Sequence, residues 1–231
     1  MEGKLKAEDL SKKIGVKFKD ANLLEQVLIH KSYLNENRDS KLENNERLEF
    51  LGDAVLELIV TRFLYKNYSN PEGELTNLRS ALVKGKKLAE LSKKFGIGEL
   101  LYLSRGEDKG GGRENDLLLA NAFEALIGAI YLDQGYKTAA DFVKKNLLVD
   151  LPTIIEKNLH IDPKSHVQEM AQEELGITPT YEVLEEKGPD HAKQFKIGIF
   201  LGDKQIGEGL GSSKQSAQTL AAENALSKWE K

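Results

Sequence analysis

The sequence predicts an α+β protein in two parts, an all-α segment followed by a small αβββα unit. Three observations carry that prediction. Apolar residues recur at helical spacing from about residue 23 to residue 159, Asp162 and Pro163 then form a turn and a helix start, and Phe195, Ile197, Ile199 and Leu201 alternate as in a strand. A chain of 231 residues that is 40% hydrophobic and 30% charged has material for one large domain or two modest ones.

Taken in order, the opening "MEGKLKAEDLSKK" is charged throughout and has no apolar core of a signal peptide. No stretch of about 18 apolar residues occurs in the chain. Export and membrane insertion are therefore not expected. The helical pattern that follows is interrupted at "YSNPEGEL", at "KKFGIGELL" and at the glycine-rich "SRGEDKGGGREND". After "NLHIDPKSH" the spacing predicts a helix over residues 164–175, then strands at "TYEVLEE", "KQFKIGIFL" and "KQIGEGLG". The stretch "GEGLG" reads as the turn into the last helix. It lacks the GKS or GKT ending and the βαβ setting of a nucleotide loop, so no nucleotide cofactor is expected. The last helix begins after Ser212 and Ser213 and sets Ala217, Ala221, Ala225 and Trp229 on one side.

Composition narrows the chemistry. The absence of cysteine removes disulfides, thiolate metal sites and cysteine nucleophiles, and suits a reducing cytosol. The four histidines, His30, His160, His166 and His191, have no close ligand spacing such as HExxH, which argues against zinc. A net charge of −4 opposes wholesale attraction to nucleic acid but leaves room for a local basic patch. From residue 162 onward there are eight lysines against twelve acids, and the totals of 33 and 37 leave 25 of each sign before that point. Neither part is globally basic.

The stretch "NNERLEFLGDAVLEL" carries the strongest chemical signal. At about 100° per residue, Glu46, Glu49, Asp53 and Glu57 fall near 0°, 300°, 340° and 20°, on one narrow face. A solvated face is the commoner reason for charges at this spacing. Here no Lys or Arg of the same helix shares the face, since Arg47 and Arg62 point elsewhere. A second helical segment, "DLLLANAFEALIGAIYLDQGY", places Glu124 in an apolar run with Asn121 three residues before it. Grouped carboxylates in an apolar setting need a positive charge, and oxygen ligands without His or Cys select Mg²⁺ or Mn²⁺. Phosphodiester cleavage fits that equipment, although paired acids also serve sugar hydrolases and phosphatases.

Those residues also carry a resemblance. "ERLEFLGDAVLEL" resembles the signature of the ribonuclease III family, and the likeness extends in order through "LIHKSY", "PEGELTNLRSALV", "GGGR" and "ANAFEALIGAIYLD". The tail from Asp162 is similar to a double-stranded RNA-binding domain. The resemblance implies a nuclease domain over residues 1–158, a linker at 159–162 and an RNA-binding domain over 163–231. It implies a cytoplasmic homodimer with one active centre per subunit. The activity it implies is divalent-metal-dependent cutting of both strands of double-stranded RNA, with staggered cuts and 5′-phosphomonoester products, in processing of rRNA precursors and other structured transcripts. Carried over by position, Asp53 and Glu124 are the catalytic acids, and with Glu49 and Asn121 they hold the metal, Mg²⁺ or Mn²⁺ as its substitute. Glu46 and Glu72 are auxiliary acids, and Phe50 packs into the partner subunit. Gln168, Gln172, His191, Ser213, Lys214, Gln215 and Gln218 match RNA contacts.

The family usually has Asp where this chain has Asn121, which keeps a carbonyl ligand and removes one charge. Gln215 and Gln218 stand where the family often has basic residues, so the tail alone should bind RNA less tightly and with less salt sensitivity. Taken singly, His191 also fits an ordinary turn and Ser213 an ordinary helix cap. His30 and Lys31 read as structural positions. A rival reading is a non-catalytic RNA-binding protein whose site has decayed, with Asn121 as the first sign. Against it, Glu46, Glu49, Asp53, Glu72 and Glu124 are all retained.

Overall fold

The computed structural model describes residues 2–40, 42–189 and 193–229. They fall into two compact units that divide between His160 and Ile161. The first is all helical: α1 (Glu2–Ile14), α2 (Ala21–Val27), α3 (Lys31–Glu36), α4 (Glu46–Asn67), α5 (Glu72–Leu82), α6 (Gly85–Lys94), α7 (Ile97–Leu100), α8 (Arg105–Lys109), α9 (Asp116–Asn146) and α10 (Leu151–Glu156). The second runs α11 (Pro163–Leu175), β1 (Thr180–Lys187), β2 (Gln194–Leu201), β3 (Lys204–Gly211) and α12 (Lys214–Trp229). Among the described residues no helix is long and apolar enough to cross a membrane.

Helix α9 is the spine of the first unit. From Leu119 to Ile130 nearly every position is buried except Asn121 and Glu124, as expected of a helix surrounded by others rather than lying on a surface. Its closest companion is α4, and two glycines set the approach. A Cβ on Gly52 would strike the carbonyl of Glu124, and one on Gly128 would strike the carbonyl of Leu48. Backbone thus meets backbone at the crossing, and the side chains just before and after it on both helices are brought to a common edge.

Three expectations about the first unit need revision. Helix α1 lies in the charged opening segment, where Ala7, Leu10 and Ile14, spaced for one helical face, are buried. The segment "SRGEDKGGGREND" is more ordered than an interruption, for it holds α8 and a 3₁₀ turn at Gly112–Glu114. Likewise "YSNPEGEL" already contains the first turn of α5.

In the second unit the sheet is antiparallel in the order β1-β2-β3, with Val183 opposite Ile197 and Ile197 opposite Gly209. Asp162 caps α11 by accepting from the N–H groups of Lys164 and Ser165, each at 3.1 Å. The reading of "GEGLG" as a turn is corrected: Gly207, Gly209 and Gly211 lie within β3. A Cβ on any of them would collide with the backbone of α12 between Ala217 and Ala225. The glycines are there for close packing of strand on helix, which also buries Ala217, Ala221 and Ala225.

Candidate active site

A cleft of about 540 Å³ opens beside the crossing of α4 and α9. Glu46, Glu49 and Asp53 enter it from α4, and Asn121 and Glu124 from α9. His30 and Lys31 line it from the start of α3, and Phe50, Leu101, Leu117 and Leu118 supply apolar wall. Five of the sequence-predicted oxygen-bearing residues therefore meet in one place although about 70 positions separate the two groups along the chain.

The four-acid stripe of α4 does not act as a unit. Glu57 is absent from the cleft lining and pairs with Arg79 of α5 at 2.9 Å. At the other end, Lys31 Nζ lies 3.0 Å from Glu46 Oε1, and Asn44 donates to Glu46 Oε2 at 3.0 Å. These donors hold the Glu46 carboxyl below its ordinary range, the hydrogen bond from Lys31 foremost. The stripe has counter-cations after all, supplied by neighbouring helices that the periodicity of α4 does not reveal.

Between those two pairs lie Glu49, Asp53 and Glu124, which have no ion-pair partner among the described residues. Burial pushes the Glu124 carboxyl up to about 7, and the charges of Asp53 and Glu49 push it the same way. Burial also raises Glu49, followed by the charge of Glu46; the Asn121 side chain opposes this by hydrogen-bonding to Glu49. Among the described residues no three His, Cys, Asp or Glu side chains are gathered closely enough to hold an ion as they stand. Like charges in one cleft repel one another, and a cation is what would draw them together. A carboxyl group raised to about 7 by burial and like charges marks an electrostatic deficit of the kind that a divalent ion fills.

The remaining acid, Glu72, is not among the cleft residues. It is exposed at the first position of α5, where Thr76 Oγ1 donates to it at 3.3 Å. Phe50 is 83% exposed, and the same side of α4 leaves Leu58 and Tyr65 uncovered.

Sequence reasoning gave too little weight to four residues. Besides Lys31, His30 caps α3, with its Nδ1 accepting from the Ser32 N–H at 3.3 Å, and burial lowers its pKa. Asn45 is buried, donates its side-chain amide to the Val27 carbonyl at 3.1 Å and fixes the start of α4. Arg113, within "GGGR", donates Nη1 to the carbonyls of Gly98, Glu99 and Leu101 at 2.9 to 3.1 Å. It also pairs with Asp108 at 2.7 Å, so it ties α8 to the end of α7, whose next residue, Leu101, lines the cleft. Their signal was present in the quoted motifs, but their partners are tertiary.

In the second unit, Gln168 and Gln172 are exposed along α11, and Gln172 donates to Thr178 at 3.2 Å. Ser213 Oγ accepts from the Ser216 N–H at 3.1 Å, so Ser213 does cap α12. Lys214 and Gln215 are exposed in the first turn of that helix, and Gln218 accepts from Lys164 at 3.0 Å. His191 lies outside the described residues.

Comparison with known proteins follows the same division. The family described as Ribonuclease-III-like matches residues 20–151, and the double-stranded RNA binding motif matches residues 163–228. "Ribonuclease 3" of Campylobacter concisus is 44% identical over 225 residues, covering 97% of this chain and 98% of that protein. "Ribonuclease 3" of Pelotomaculum thermopropionicum is 43% identical over 220 residues, 95% of this chain and 91% of the other. A solved structure of the nuclease domain of ribonuclease III from Campylobacter jejuni, 41% identical, superposes with a TM-score of 0.54 over 60% of this chain and 96% of that one. With both modules matched in order and relatives similar over nearly their whole length, the chain belongs to the ribonuclease III family, endoribonucleases that act on double-stranded RNA.

Proposed function

We propose that the cleft between α4 and α9 is the hydrolytic centre of this endoribonuclease and that it works with Mg²⁺, for which Mn²⁺ substitutes. Enzymes of this family depend on a metal, and the observation that carries the reading here is Glu124, raised to about 7 beside two further unneutralised acids. Glu49, Asp53 and Glu124 would hold the ion through carboxylate oxygens and Asn121 through its carbonyl. When bound, the ion lowers the pKa of a water and offsets charge that builds up on the phosphate oxygens during in-line displacement.

The chain's own residues do the rest. Glu124 and Asp53 are the catalytic acids, placed on two helices whose glycine crossing allows little slack. Lys31 keeps Glu46 ionised and holds it at the rim. Leu101, Leu117 and Leu118 line the cleft with apolar surface, which lowers the local dielectric and strengthens the pull of the acids on a cation. Glu72 is an auxiliary acid that acts from outside this cleft.

The nuclease domain takes in residues 1–158, residues 159–162 are linker, and 163–231 form the RNA-binding domain. Duplex RNA hides its base edges, so the second domain reads shape through phosphates and 2′-hydroxyls, with Gln168, Gln172, His191, Ser213, Lys214, Gln215 and Gln218 as contacts. The exposed Phe50, Leu58 and Tyr65 on α4 support a homodimer joined at this helix, and the C. jejuni structure is described by a region involved in dimer formation. Cuts on both strands are then staggered, leave 5′-phosphomonoesters and process rRNA precursors and other structured transcripts in the cytoplasm.

Incubation with a plain RNA duplex in Mg²⁺ is the test. The expected result is endonucleolytic cutting of duplex but not of the separated strands, abolished by chelator. Glu124→Gln should slow it by several orders of magnitude with duplex binding retained. Parental cutting by that variant would move the active centre elsewhere.

A further inference from the structure

Five lysines of the second unit are held by a neighbour, in two different ways. Lys187 pairs with Glu185 at 2.6 Å, Lys193 with Glu186 at 3.0 Å and Lys196 with Glu208 at 3.1 Å, so their charges are neutralised locally. Lys164 and Lys214 have no carboxylate partner among the described residues. Each rests on an aromatic ring instead, Lys164 Nζ 5.5 Å from the centre of Tyr181 and Lys214 Nζ 5.7 Å from the centre of Phe195. A ring face holds an ammonium in place without cancelling its charge, so both remain available to an anion.

Lys164 is further fixed from α12. Its ammonium donates to Gln218 Oε1 at 3.0 Å, across from α11. Gln218 follows Lys214 by one helical turn, so Lys164 delivers a positive charge beside a helix position whose own side chain is neutral. It also precedes Gln168 by one turn and heads the row Lys164, Gln168, Gln172 on α11. The half-buried stem and two anchoring contacts mean that little side-chain freedom is left to lose on binding.

We propose that Lys164 binds a backbone phosphate of the RNA duplex, replacing in space the basic side chain that Gln218 does not provide and acting together with Lys214. The proposal rests on the assignment of Gln168 and Lys214 to the RNA-facing side. Gln218 is then the fixture that aims the ammonium.

The experiment measures binding of the full chain to a plain RNA duplex by fluorescence anisotropy, with chelator present to prevent cutting, over a series of salt concentrations. Lys164→Gln should weaken binding about 3- to 10-fold near physiological salt and reduce the slope of log affinity against log salt by about one phosphate contact. Lys164→Arg should keep both. The exchange Lys164→Gln with Gln218→Lys returns the charge from the other helix and should restore the slope. An unchanged slope in Lys164→Gln overturns the proposal even if melting temperature or affinity falls, because a clamp between two helices has no phosphate to release. Gln168→Ala separates the two levels. If it leaves duplex affinity unchanged, the RNA-facing side is misassigned and Lys164 falls with it; if it weakens binding while the Lys164 slope stays put, Lys164 alone is wrong.

Discussion

Lys31 and Glu46 meet at 3.0 Å across the gap between α3 and α4, and this pair is the sole ion pair at the rim of the acidic cleft among the described residues. Both side chains are at least half exposed, so the contact adds little to stability. Its effect is on the field inside the cleft, where a lysine is a standing competitor for any added cation.

The first prediction follows from that field. Lys31→Met should leave thermal unfolding nearly unchanged while strengthening uptake of Mg²⁺ by about 3- to 10-fold, the size of one unit charge acting at several ångströms through partly wet protein. Calorimetric titration with Mg²⁺ checks it. Weaker uptake would mean that the lysine's role is to hold Glu46 in a ligating pose.

A second prediction concerns pH. Glu124 is raised to about 7 in the folded protein, whereas an unfolded carboxyl loses its proton near the ordinary value of 4.5. Between those limits the folded state binds more protons than the unfolded one, so metal-free stability falls as pH rises and the loss is complete above about 7. The partly wet site reduces the effect to on the order of 2 kcal/mol. Denaturant unfolding of wild type and Glu124→Gln at pH 5 and pH 8 isolates it, because Gln removes the dependence. Parallel curves for the two proteins would show that Glu124 is ionised throughout.

The helical period made most of this legible, and its limits explain the rest. Glu46, Glu49, Asp53, Asn121 and Glu124 could be placed on two faces because one helix pattern suffices to align them. What joined the faces was the contact of Gly52 with Gly128, two residues that carry no signal until the helices are packed. The cations Lys31 and Arg79 were hidden because each comes from another helix. Helix α1 was missed because its buried Ala7, Leu10 and Ile14 are thinly spread among charges, and "GEGLG" was misjudged because glycine marks both a turn and a strand pressed against a helix.

Phe50 supplies the third prediction. A phenyl ring that is 83% exposed on a protomer is an unfavourable feature unless something covers it. If a second copy does, Phe50→Ala should weaken the dimer by on the order of 2 kcal/mol, the typical loss of an aromatic anchor. Sedimentation at decreasing concentration should then show monomer earlier than for wild type. An unaltered dimer would place the interface away from α4.

The last prediction concerns Asn121. Its amide hydrogen-bonds to Glu49 and so quiets one of the three carboxylates that have no ion-pair partner in the cleft. Asn121→Asp removes that donor and adds a fourth negative charge beside Glu49 and Glu124. Without an ion the added repulsion should lower stability at pH 8, where every carboxylate would have to ionise. With an ion the same charge becomes an extra ligand, so half-maximal cleavage should need less Mg²⁺. The two effects have one cause and opposite signs, which makes the variant a sharper probe than a simple deletion. Titrating Mg²⁺ against initial cleavage rate, alongside unfolding in chelator, reads both. Coincident rate curves for the two proteins would show that residue 121 does not sense the metal, and a requirement for more Mg²⁺ would show that the amide's hold on Glu49 matters more than the missing charge.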